Sequence, residues 1–104
     1  MKQFIKSIFS SRKNMRIKAL ISNGAMIIDV RTQTEYQNGH LKTSVNIPLA
    51  ELSGSLSKLD KSKAVITCCA TGMRSASAKN ILLTSGFSEV YNGGSWKSLR
   101  KLES

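Results

Sequence analysis

The chain has 104 residues, of which 40% are hydrophobic and 21% charged, and a formal net charge of +10. That length holds one domain and excludes two, and the apolar share excludes a wholly disordered chain. Two cysteines and one histidine supply neither a disulfide framework nor a metal ligand set, so no metal and no cofactor are expected.

The placement of the charge is informative. No acidic residue precedes Asp29, whereas Lys2, Lys6, Arg12, Lys13, Arg16 and Lys18 do, and Lys97, Arg100 and Lys101 lie near the C-terminus. Such a surface favours anionic substrates, and the basic N-terminus is suited to an acidic protein or an acidic membrane surface. No nucleic-acid motif or interleaved aromatics accompany the cations, so specific nucleic-acid binding is not expected. Met1 to Phe9 is broken by Lys6 and lacks the pattern of a signal peptide. No apolar run approaches membrane-spanning length. Unpaired cysteines point to a reducing, cytoplasmic setting.

In chain order, residues 1–13 form a basic segment in which Phe4, Ile5, Ile8 and Phe9 fall at helical spacing. The stripe is consistent with packing on the domain, an interfacial helix or a short edge strand. Asn14 is placed to cap a helix carrying Met15, Ile17, Leu20 and Ile21 that stops at Asn23-Gly24. Met26 to Val30 is apolar without alternation, as in a strand buried on both faces of a parallel sheet. Thr32 and Glu35 have the spacing of a capping box for a short helix ending near Asn38-Gly39. Val45 to Ile47 reads as a second strand stopped by Pro48, and Leu49 to Leu59 as loosely helical. Ala64 to Thr67 reads as a third strand, and Ser75 to Leu83 as a helix stopped at Ser85-Gly86. A strand at Glu89 to Tyr91, a turn at Asn92-Gly93-Gly94 and a helix from Ser95 to Leu102, with Trp96 and Leu99 inward, complete the pattern. Strands alternating with helices predict an α/β sandwich around a mainly parallel sheet. Ligands of such sheets bind beyond the carboxyl ends of the strands.

That rule draws attention to Cys68-Cys69-Ala70-Thr71-Gly72-Met73-Arg74-Ser75. A strand delivers a thiol into a tight loop with a glycine and an arginine, and a helix follows. Inward-turned loop N–H groups and the positive end of the helix create an anion nest. A thiolate held there has a lowered pKa and acts as a nucleophile at neutral pH. Gly72 lets the backbone turn where a side chain would block the nest, and Ser75 is placed to cap the helix.

Several stretches match a known family. Ile28-Asp29-Val30-Arg31-Thr32, Glu35-Tyr36, Gly39-His40-Leu41 and Asn46-Ile47-Pro48-Leu49 resemble the opening signature of rhodanese-like domains. Cys69 to Ser75 resembles their active-site loop, and Asn92-Gly93-Gly94 with Trp96 their closing turn. The resemblance spans residues 26 to about 103 and divides the chain into the segment 1–13 and a rhodanese-like domain over 14–104. It implies a three-layer α/β sandwich with a mainly parallel central sheet flanked by helices. It also implies a single-domain sulfurtransferase in which Cys69 takes a sulfane sulfur from a small anionic donor, becomes a persulfide, and passes the sulfur to cyanide or a thiol. Ala70, Thr71, Gly72, Met73 and Arg74 would then cradle the outer sulfur, with Asp29, Arg31, Glu35 and Ser75 supporting the loop. Two positions depart from the family pattern. Ala70 stands where thiosulfate-using members often carry a basic residue, which favours a persulfide donor. Thr43 and Ser44 replace a usual Gly-Ala pair.

The adjacent cysteines leave two registers. Cys69 to Arg74 encloses four residues, a loop sized for one sulfur atom. Cys68 to Arg74 encloses five, the spacing of cysteine-dependent phosphatases and arsenate reductases, whose loop must hold a phosphate-sized anion. The Cys69 register is favoured, because the strand absorbs Cys68 as a small core residue and no acidic residue is marked as the acid for a leaving group. A non-catalytic binding module that keeps the fold is the third reading. His40 reads as a structural hydrogen-bonder and Trp96 as core.

Overall fold

The computed structural model describes residues 2–103, with side chains described from Arg12 onward. Helix α1 (Lys2–Ser22) runs without a break, so Asn14 lies inside it and does not cap it. No glycine or proline interrupts this stretch, and nothing stops the helix from extending N-terminally. How Phe4, Ile5, Ile8 and Phe9 are placed lies outside the described residues.

The remaining elements are strand β1 (Met26–Asp29), helix α2 (Gln33–Gln37), strand β2 (Ser44–Asn46), helix α3 (Leu49–Ser55) with a 3-10 turn at Leu56–Lys58, strand β3 (Val65–Cys69), helix α4 (Met73–Thr84), strand β4 (Val90–Ser95), and helix α5 (Trp96–Leu99) with a 3-10 turn at Arg100–Leu102. The capping box that opens α2 is present. Thr32 accepts from the Glu35 N–H, and Glu35 accepts from the Thr32 N–H.

The four strands form one parallel sheet in the order β2-β1-β3-β4. Both faces are covered, which explains the unalternating apolar strands. On one face α3 and α4 bring Leu52, Ala78 and Leu82 against Ile28, Val30, Val65, Cys69 and Val90. On the other, Ile17 of α1 and Trp96 and Leu99 of α5 meet Ile27, Ile66 and Cys68. The consecutive cysteines therefore point to opposite faces, as neighbours on a strand must. The chain leaves β1 for β2 on one side and then crosses to β3 on the other. The carboxyl ends of β1 and β3 thus form the switch point where α/β sheets bind ligands.

Two local expectations are corrected. Asn92-Gly93-Gly94 is not a turn but part of β4. Thr67 pairs with Asn92 and Cys69 with Ser95, so β4 advances three residues where β3 advances two, a bulge at the glycines. Ser75 does not cap α4. The cap is Gly72, in the left-handed region at φ +99°, and the helix starts at Met73. A glycine tolerates that conformation at no steric cost, so the helix begins two residues early. Ser75 is thereby carried into the first turn and Arg74 onto the helix.

Candidate active site

Cys69 ends β3 and is fully buried. Its Sγ accepts the Gly72 N–H at 2.9 Å and lies 3.6 Å from the Ser75 hydroxyl. Burial works to push this thiol up. Hydrogen bonds from the Ser75 hydroxyl and N–H, then from the Gly72 and Thr71 N–H groups, outweigh it, and the net direction is down. Cys68 behaves in the opposite way. Burial, reinforced by the nearby Asp29 charge, pushes it to about 12. One cysteine is set up to ionise and its neighbour is not.

The loop is held from behind by β4. A Cβ on Gly72 would come within 3.3 Å of the Gly94 Cα, so the loop backbone rests directly on the strand. Asn92 fastens the contact. Its Nδ2 donates to the Gly72 carbonyl at 3.2 Å, and its Oδ1 accepts the Gly94 N–H at 2.9 Å. The same Oδ1 lies 2.6 Å from the Ser75 hydroxyl, which also lies 3.0 Å from the Gly72 carbonyl. The Thr67 hydroxyl donates to the Ser75 carbonyl at 2.9 Å, tying the first turn of α4 to β3.

The other support comes from the β1–α2 loop. Arg31 is buried and faces Asp29, donating from Nε and Nη2 to its carboxylate with a shortest distance of 2.7 Å. The remaining guanidinium hydrogens reach the carbonyls of Gly39 and Glu35. Its plane lies 4.6 Å from the Trp96 ring centroid, and Arg100 lies at the same distance from that ring. Asn46 donates to the carbonyls of Asp29 and Arg31, which closes the loop on β2. Arg74 makes a two-pronged pair with Glu35, at 2.7 and 2.9 Å. The pair joins α4 to α2. Arg74 holds the Glu35 carboxyl at about 2, chiefly through its side-chain hydrogen bonds, and is itself raised by Glu35.

The structure brings Asp29, Arg31, Glu35, Cys69, Gly72 and Arg74 together at one end of the sheet. Ala70, Thr71 and Met73 lie on the exposed rim. Asn92 was missed because Asn-Gly-Gly reads as turn chemistry. No local pattern distinguishes an asparagine that caps its own strand from one that braces a distant loop. His40 stacks on Tyr36 at 3.9 Å and bonds its carbonyl, away from the thiol. Trp96 belongs to the core and also walls a groove of about 400 Å3 at the mouth of the site, with Arg31, Glu35, Asn38, Ala70 and Lys97. Among the described residues no cluster of three or more metal-ligating side chains occurs, and no helix is long and apolar enough to cross a membrane.

The family model described as rhodanese-like domain matches residues 14–100. The chain belongs to the rhodanese-like domain family. Similar proteins include the thiosulfate sulfurtransferase GlpE of Pseudomonas savastanoi pv. phaseolicola, 33% identical over 75 residues covering 72% of this chain and 71% of that protein. A tRNA sulfurtransferase of Thermoplasma acidophilum is 28% identical over 81 residues, which are 78% of this chain but only 16% of that much longer protein. Among solved structures, a rhodanese with anions from E. coli superposes with a TM-score of 0.67 at 36% identity, covering 71% of this chain and 89% of that one. In this rhodanese-like domain the cysteine loop, its asparagine brace and the two arginine pairs converge at the carboxyl ends of β1 and β3.

Proposed function

We propose that this protein is a sulfurtransferase that works through a Cys69 persulfide. The observation that carries the reading is the contrast between the two cysteines. Cys69 sits in a hydrogen-bonded cradle that lowers its pKa, while Cys68 is buried on the opposite face of the sheet. The names of the similar proteins support the same chemistry.

The steps balance without an oxidant or a cofactor. The Cys69 thiolate attacks the sulfane sulfur of the donor, and the donor's S–S bond breaks. Its electron pair leaves on sulfite if the donor is thiosulfate, or on a thiolate if it is a persulfide. The outer sulfur, now anionic on Cys69, is held by the N–H groups that bound the thiolate. An acceptor thiolate or cyanide then attacks that sulfur, and the Cys69 thiolate leaves. The cradle serves both halves, because each begins or ends with negative charge at the same place.

Donor choice is argued from charge. Arg31 is committed to Asp29 and Arg74 to Glu35, so neither offers a free guanidinium. Lys97 is the remaining cation lining the mouth, and Ala70 adds none. An anionic donor with its charge some distance from the sulfur, such as a carboxylate-bearing persulfide, fits this mouth better than thiosulfate.

The two-register question is tested by serine substitution. Cys69→Ser is expected to abolish sulfur transfer with the fold intact, and Cys68→Ser to keep most activity. Activity surviving in Cys69→Ser but lost in Cys68→Ser, or turnover of a phosphomonoester, would contradict the proposal.

A further inference from the structure

A second cleft, of about 280 Å3, opens at the edge of the sheet and is lined by Lys13, Arg16 and Ile17 of α1, Lys79 of α4, and Tyr91 and Asn92 of β4. It shares no residue with the groove at the mouth of the cysteine site. Strand β4 is the last in the sheet order, so helices from the two opposite faces meet around its free edge. Helix α1 brings two cations there and α4 brings one.

Three positive side chains in one cleft repel one another unless a counter-charge joins them. Among the described residues none does. The chain's six acidic residues are Asp29, Glu35, Glu51, Asp60, Glu89 and Glu103, and none lines the cleft. The two ion pairs found among the described residues use neither Lys13, Arg16 nor Lys79. An anion of matching charge bound in the cleft would relieve that repulsion.

We propose that this cleft is a second anion site that takes a compact phosphate-bearing ligand with a pyrophosphate-type group. Arginine matches phosphate oxygens in a two-pronged fashion and lysines supply point charges around them. Two or more negative charges are needed to balance three cations, which favours a diphosphate over a carboxylate. The volume admits such a group and the open side lets the rest of a ligand extend into solvent. Asn92 is the wall shared with the reactive loop, because its amide also holds Gly72 and Ser75. Occupancy is thus felt one residue away from the Cys69 cradle.

The test is a titration of the full chain with inorganic pyrophosphate, followed by amide chemical shifts at constant ionic strength. Saturable shifts at Ile17, Lys79, Tyr91 and Asn92 are expected, with affinity at least tenfold weaker in Arg16→Ala/Lys79→Ala. Non-saturating shifts, an unchanged affinity in that variant, or shifts confined to residues 70–74 would overturn the proposal. Lys13→Gln, at an exposed position, gives the same discrimination if the double variant does not fold. The readout does not depend on sulfur transfer, so a negative result here leaves the Cys69 reading untouched, and the reverse also holds.

Discussion

The Ser75 hydroxyl has one hydrogen and three neighbours that can use it, namely Asn92 Oδ1, the Gly72 carbonyl and Cys69 Sγ. While Cys69 is a thiol, its S–H donates to Ser75. Once it ionises, the hydroxyl hydrogen can turn to the sulfur. Ser75→Ala should therefore slow alkylation of Cys69 near neutral pH and move its midpoint upward. A hydrogen bond to a charged group is worth about 1.5 kcal/mol, or about tenfold in rate; an unchanged alkylation profile would show that the N–H groups suffice. At the mouth, Lys97→Ala should raise KM for an anionic donor several-fold and leave kcat nearly unchanged, since Lys97 lines the groove and not the cradle. The Glu35–Arg74 pair gives a stability prediction. Glu35 falls from an ordinary 4.5 to about 2, so its contribution is complete above the ordinary value and is lost as pH drops through that window. Both partners are about one-third exposed, and screening limits the pair to about 1 kcal/mol. Urea unfolding should find Glu35→Gln weaker than wild type by about that amount at pH 7, with the difference shrinking toward zero near pH 2.

Among the elements, β4 carries the loop it faces. A Cβ on Gly93 would meet Ile66 and Leu99 side chains and the Thr67 carbonyl at 2.8 to 2.9 Å. Gly93→Ala should cost about 1 to 3 kcal/mol by overpacking. Gly54, in α3, has nothing within 4 Å of its Cβ position, and Gly54→Ala should stabilise by about 0.5 to 1 kcal/mol. Thermal unfolding of the pair checks both signs; two destabilised variants would mean that α3 is constrained by something other than helix propensity. The same element marks where the sequence was readable. The buried strands, the Thr32–Glu35 box and the strand-loop-helix around Cys69 are local patterns and were visible. The path of Asn92-Gly93-Gly94 was not, because its conformation is set by Ile66, Leu99 and the loop on Gly72. Ile66 and Gly72 lie far away in the chain, and tertiary packing overrode turn propensity. The start of α4 was misplaced for a similar reason. Serine three residues into a helix looks like a cap unless the left-handed glycine before it is known. The Asn14 cap failed because a good capping residue does not end a helix whose preceding residues also favour one.

For the molecule as a whole, the net charge of +10 and the committed arginines act at different ranges. The paired guanidiniums shape the site at contact distance, and the surface cations set a positive field that would draw an anionic donor. With an anionic donor, kcat/KM should fall as salt rises from 50 to 500 mM (roughly the range over which the Debye length shortens from above to below 10 Å), and kcat should hold. Equal loss of both would assign the salt effect to the loop itself. The α/β sandwich followed from the alternation of strands and helices, and the resemblance supplied its three layers. The fold leads to one thiol, since only Cys69 reaches the switch point on the loop side. The most direct test is intact mass of the full chain after incubation with thiosulfate or a glutathione-type persulfide, followed by peptide mapping. The account predicts a gain of one sulfur atom on Cys69, absent in Cys69→Ser and removed by cyanide. A sulfur found on Cys68, or no gain with either donor, would contradict it.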